Sequence, residues 1–257
     1  MTDALKYEWT RLRTLRSTWW LLGTSVVLAA LIAFLFAQFV DEPDGSLVLA
    51  LTGLAGQAIP ITGILMGLVG AFAIGHEYRY GTIRVTLPVV PRRGALLLAK
   101  VLVVAAFSVV VAALSVAVAY LVVLLWPGST LLDDPIDDGV LARVLVGYVL
   151  LTLIYAMIGM ALAGLLRNLP GAIVLLIVWP LVIESLLTFL TLIPALEGLQ
   201  DETRFLPFYA GQQLVATGPA LGNPFPVVGP WEGGAIFGGT ALVLLVLWAV
   251  LFRRRDA

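Results

Sequence analysis

Residues 101–126 read VLVVAAFSVVVAALSVAVAYLVVLLW, a run without one Asp, Glu, Lys or Arg. As an α-helix at 1.5 Å per residue it measures about 39 Å, longer than the roughly 30 Å hydrocarbon core of a bilayer. A helix satisfies its own backbone, so such a segment is at home in lipid, where few other structures are. Working outward, runs of the same kind recur near 18–40, 47–74, 140–166, 172–193 and 233–252, each bounded by charge or by Pro and Gly clusters. The composition agrees: 61% hydrophobic and 12% charged residues over 257 positions, with a mean hydropathy of +1.04. Soluble domains carry about 25% charged residues, so a water-soluble fold is excluded. The expectation is an all-α membrane protein, with residues 1–17 preceding one six-helix transmembrane domain over 18–257.

Charge placement fixes the orientation. Segments 1–17, 75–100, 167–171 and 253–257 hold 13 of the 15 basic residues, while the alternate connections hold Asp41, Glu42, Asp44, Asp133, Asp134, Asp137, Asp138, Glu197, Asp201, Glu202 and Glu232. By the positive-inside rule the basic class is cytoplasmic, and strict alternation puts both termini there. The segment before the first span is basic and patterned, and Phe36-Ala37-Gln38-Phe39 is a poor cleavage site, so the first run is read as a retained span rather than a signal peptide. Within it Leu5, Trp9 and Leu12 share one helical face, and Lys6 and Arg13 share another. That pattern predicts an amphipathic helix lying along the headgroups, its cations meeting anionic lipid.

Catalytic chemistry is limited by what is missing. There is no cysteine, and His76 is the only histidine, so thiolate sites, His–His metal sites and H-E-x-x-H are ruled out. No G-x-S-x-G elbow occurs. Lys6 and Lys100 follow Leu5 and Ala99, so no phosphate loop of the G-x-x-x-x-G-K-[ST] kind exists. The chain is expected to be no enzyme, to hold no metal or cofactor, and to bind no nucleic acid. Active transport would draw on a partner or an ion gradient.

The connection between the second and third spans is more than a positive flank. Gly75-His76-Glu77-Tyr78-Arg79-Tyr80-Gly81-Thr82-Ile83-Arg84 is followed by Pro91-Arg92-Arg93, mixing an acid, two aromatics and arginines on a short element, the composition of a docking surface. In the second span, Gly53, Gly56, Pro60, Gly63, Gly67 and Gly70 form a seam of small residues. It predicts close helix packing, with a hinge as the second reading because Gly and Pro60 permit kinks. Glu184 is the sole acid well inside a span. It lies 13 residues beyond Gly171, or roughly 20 Å along the helix, and must be protonated, paired or facing water. Arg143 is the candidate partner, and a place on a substrate path is the other reading, with Gln57 the next polar candidate. Between the fifth and sixth spans, Phe205, Phe208, Tyr209, Leu214 and Val215 suggest short helices dipping back into the outer leaflet.

The chain resembles the type-2 permease family of ATP-binding-cassette exporters. The likeness rests on E-W-x-R-L-R-x-L-R-S-T-W-W (Glu8 to Trp20), E-Y-R-Y-G-T-I-R (Glu77 to Arg84), the P-R-R and Ala99-Lys100 that follow, and L-P-F-Y-A (Leu206 to Ala210). The resemblance implies a dimeric six-span exporter subunit, as a homodimer or related heterodimer, driven by a separate cytoplasmic ATPase that holds ATP and Mg. It implies an interfacial helix bearing Leu5, Trp9, Leu12 and Arg13, and a cytoplasmic coupling helix between spans 2 and 3. Coupling would fall to His76, Glu77, Tyr78, Arg79, Gly81, Thr82 and Arg84, with Arg92 and Arg93 closing the loop. It further implies re-entrant extracellular helices between spans 5 and 6, forming an outer gate. Pathway and gate candidates are then Gln57, Pro60, Glu184, Phe208 and Tyr209, the cargo amphipathic or lipid-like (drug, lipid or peptide), and the location a bacterial plasma membrane. Two alternatives stand beside it: a proton-coupled secondary transporter using Glu184, and a membrane protein that transmits force without moving cargo.

Overall fold

The computed structural model describes residues 2–40, 46–53, 60–79, 93–133, 136–217 and 225–255. Among them there is no strand, and six helices are long and apolar enough to cross a membrane. Helix α1 (Thr2–Thr14) ends at Leu15, whose extended backbone (φ −74°, ψ 117°) turns the chain into α2 (Arg16–Phe39), the first span. The Trp19 indole N–H closes that corner by donating to the Arg13 carbonyl at 2.6 Å.

The second span departs from expectation. Instead of one helix over 47–74, a short α3 (Ser46–Thr52) stops at Gly53, and α4 (Ile61–Arg79) carries the crossing. Gly53 has φ +60°, the left-handed conformation that glycine adopts without strain and that ends helices. Pro60 sits at the start of α4, its carbonyl accepting the Ile64 N–H at 2.9 Å. It needs no N–H there, whereas inside a helix it would break the ladder. Hydropathy sees only that the whole stretch is apolar, and so merges the pieces. α4 also continues five residues past the predicted end at Ile74.

The third span is α5 (Arg93–Leu125) and the fourth α6 (Asp138–Leu166). The latter is capped by the Asp137 carboxylate, which accepts the Gly139 and Val140 N–H groups at 2.9 and 3.2 Å. The fifth span is composite: α7 (Leu169–Val178), a π-helical turn (Trp179–Glu184) and α8 (Ser185–Leu190). Pro180 lies in the π turn, where the wider ladder accommodates the missing donor. A 3₁₀ segment (Pro194–Phe205), α9 (Pro207–Gln212) and a final 3₁₀ turn (Gln213–Val215) lead toward α10 (Pro230–Arg255), the sixth span.

α4 and α6 form the centre, each 61% buried along its most apolar window, against 22–39% for the other four spans. The glycines explain why these two pack so closely. A Cβ on Gly70 would overlap the Ala156 carbonyl, and one on Gly159 would overlap the Gly67 carbonyl. Gly63 lies against the Tyr155 ring and Gly67 against Leu176. From Gly63 to Gly70, the small-residue seam is therefore a packing surface, the first of its two readings; Gly56 lies outside the described residues. Dispersion and close backbone approach drive such contacts in lipid.

Candidate functional site

Four ionisable side chains from three helices meet at the end of the bundle where α1 lies. The Lys100 ammonium on α5 is 2.5 Å from Glu8 Oε1 on α1 and 2.5 Å from Glu77 Oε1 on α4. Arg11 Nη1 bridges the same two acids, at 3.0 Å to Glu8 Oε2 and in closer contact with Glu77 Oε1, while its Nη2 donates to the Ala73 carbonyl. Glu8, Glu77 and Lys100 are 1–3% exposed. Each is placed by its helix. Glu8 falls within the apolar stripe of α1, one turn from Leu5 and from the buried Leu12. Lys100 shares the inward face of α5 with Leu96, Ala99, Val103 and Val104. Two acids and two bases cancel, which is how four charges survive burial. Burial is still the dominant effect on Glu8, raising its carboxyl above the ordinary value despite Lys100 and Arg11.

The cluster brackets the connection expected to dock a partner. Of that 75–100 connection Glu77 is the third residue and Lys100 the last, so α1 is tied to both of its ends. Of the nine residues assigned to coupling, Gly81, Thr82, Arg84 and Arg92 lie outside the described residues. Arg79 and Arg93 are described only as the last residue of α4 and the first of α5. His76 stacks on Phe72 with ring centroids 4.9 Å apart, and the Arg167 guanidinium lies 5.5 Å over the Tyr78 ring. Glu77, assigned to the docking face, is turned into the cluster instead. On α1, Leu12 is buried, Leu5 packs on the core, and the half-exposed Trp9 lies 5.0 Å from Phe107 of α5; Arg13 is exposed.

A second polar site lies in the bundle interior. The Glu184 carboxylate accepts the backbone N–H of Phe208 at 3.2 Å, that of Tyr209 at 2.8 Å, and the Trp179 indole N–H at 3.1 Å. It thereby caps the N-terminal end of α9 from another element, and a negative group at that end is favourable. The expected pairing with Arg143 does not occur. Arg143 donates to the Leu214 and Ala216 carbonyls at 3.4 and 2.7 Å, satisfying the opposite end of the same short segment. Acid and base hold its two ends separately. Phe208 packs with Tyr155 and Phe237 in a three-ring cluster with centroids 5.1–5.2 Å apart. Pro60 is buried at the head of α4, and Gln57 lies outside the described residues.

Sequence reasoning missed Glu8, Arg11 and Lys100 as a unit. The available signal was an acid inside the apolar stripe of α1 and a lone lysine at the edge of an otherwise apolar run. Among the described residues no group of three or more His, Cys, Asp or Glu could hold a metal ion.

Six apolar spans around a glycine-packed central pair define a multi-pass α-helical membrane protein. Residues 4–182 match the family described as ABC-2 family transporter protein, and the chain belongs to that family. It is a membrane transport component of an ATP-binding-cassette system, not the ATPase. The match takes in all four members of the charge cluster and Glu184 lies just beyond it. A search of the curated proteins finds no match.

Proposed function

We propose that this chain is the membrane-spanning permease subunit of an exporter, paired with a second copy and driven by a separate cytoplasmic ATPase that binds the 77–93 element. The observation that carries the reading is the buried cluster of Glu8, Arg11, Glu77 and Lys100, which ties α1 to both stems of that segment. A push on the segment is then received by α1, α4 and α5 together and passed through the α4–α6 contact. At the far end, α9, held by Glu184 and Arg143, serves as the outer gate, a re-entrant element over the exit.

Cargo of amphipathic or lipid-like character is supported by an apolar cleft of about 620 Å³ between α3, α5 and α6. Its lining is aliphatic apart from Tyr120, a wall that suits hydrocarbon and gives ions or sugars nothing to bind. A proton-coupled mechanism through Glu184 is less favoured, since three N–H donors already occupy that carboxylate. The test is co-purification of the chain with its ATPase. Charge reversal at Arg79 and Arg84 is expected to abolish co-purification and substrate-stimulated ATP hydrolysis; assembly and stimulation left intact would refute the proposal.

A further inference from the structure

An open groove of about 360 Å³ runs between α1 and α5, lined by Leu5, Trp9, Leu102, Val103 and Ala106, with Lys6 at its rim. Trp9 forms one wall, braced by Phe107 one turn beyond Val103. The groove has a hydrocarbon interior and a single cation at its mouth, a combination the cleft between α3, α5 and α6 lacks.

Among the described side chains, charge around it is lopsided for a structural reason. Glu8 and Arg11 are turned inward and neutralised within the cluster, so neither tempers the outer surface of α1. Lys6, Arg13 and, at the start of α2, Arg16 remain exposed. Depth fits as well. Lys100 marks the boundary where α5 turns wholly apolar, and the groove residues Leu102, Val103 and Ala106 lie within the first two turns past it. A change from charged to wholly apolar sequence is the usual signature of the headgroup level.

We propose that this groove is a binding site for one anionic phospholipid, with an acyl chain along Leu5, Trp9, Leu102 and Ala106 and the headgroup phosphate on the Lys6 ammonium. The lipid is a resident wedge between α1 and α5 and not transported cargo, since the groove shares no lining residue with the cleft between α3, α5 and α6. The site stands apart from the permease reading, and its failure would leave that reading untouched.

The test is native mass spectrometry of the full chain, delipidated and then titrated with phosphatidylglycerol or phosphatidylcholine. Wild type should retain one phosphatidylglycerol in preference to phosphatidylcholine. Lys6→Ala should weaken that retention about five-fold, the order expected for one lysine at an anionic surface. Arg13→Ala, off the groove, should leave it nearly unchanged, and Ala106→Trp should displace the bound lipid by filling the groove. Thermal midpoints of the variants, measured alongside, separate lost binding from lost fold. Equal retention of the two lipids, no retained lipid, or equal losses from Lys6→Ala and Arg13→Ala would each overturn the proposal.

Discussion

The Lys100 ammonium touches Glu8 across 92 residues of sequence, at 2.5 Å, and Glu77 at the same distance. One buried cation thus joins the helix before the first span to the end of the second. Removing it strands two carboxylates with Arg11 alone. Lys100→Ala should destabilise the protein by about 3–5 kcal/mol, the usual cost of orphaning a buried charge, read as a lowered thermal midpoint in detergent. Replacing all four members with apolar residues of similar volume should recover most of that loss, because no charge is then left unpaired.

Glu8 gives the cluster a pH dependence. Burial raises its native pKa above the unfolded value of 4.5, so the native state binds the proton more readily than the unfolded chain. The stability this group contributes is full below about pH 4.5 and is lost as the pH rises through the native value. Glu8→Gln has no such proton. The thermal midpoint of wild type minus that of Glu8→Gln should therefore fall as the pH rises from about 4.5; a difference that is flat, or that rises, contradicts this reading.

Glu184 and Arg143 should act on one short segment and little else. Glu184→Ala leaves the Phe208 and Tyr209 N–H groups without their acceptor, at a cost of about 1–3 kcal/mol. Arg143→Ala frees the Leu214 and Ala216 carbonyls in the same way. Hydrogen exchange should accelerate across residues 207–216 in both variants, with the α4–α6 contact unaffected.

The glycines divide into two kinds. Gly159→Ala and Gly70→Ala push a methyl into a facing backbone carbonyl, which cannot step aside as a side chain can. Each should cost about 1–3 kcal/mol or more. Gly23 and Gly239 have open space where a Cβ would go, and Ala favours the helix by about 1 kcal/mol over Gly, so these substitutions should leave the thermal midpoint level or raised.

Span number and helical class were legible in the sequence because hydropathy and charge are local properties. The 101–126 run and the alternating acidic and basic connections needed no neighbour to be read. The end of α3 at Gly53 and the start of α4 after Pro60 were hidden, since hydropathy is the same on both sides, and only the left-handed backbone at Gly53 marks where the first helix stops. Glu184 was legible as an anomaly but not as a cap. Its partners are backbone N–H groups, which leave no trace in side-chain identity, so the one visible cation, Arg143, attracted the prediction. The cluster of Glu8, Arg11, Glu77 and Lys100 escaped for a similar reason: Glu77 reads as a docking residue, and Glu8, Arg11 and Lys100 each look like an ordinary charge near a membrane surface. Their burial is a property of how α1, α4 and α5 meet.

The central claim is that α1 and α5 move as one body, and the absence of cysteine in the chain allows a direct test. Cysteines introduced by Trp9→Cys and Phe107→Cys, whose native rings lie 5.0 Å apart, can be linked by oxidation or a short bifunctional reagent in the complex with the ATPase. The account predicts that the linked complex keeps its substrate-stimulated ATP hydrolysis. Activity lost on linking and restored on reduction would show that α1 must part from α5, and would contradict it.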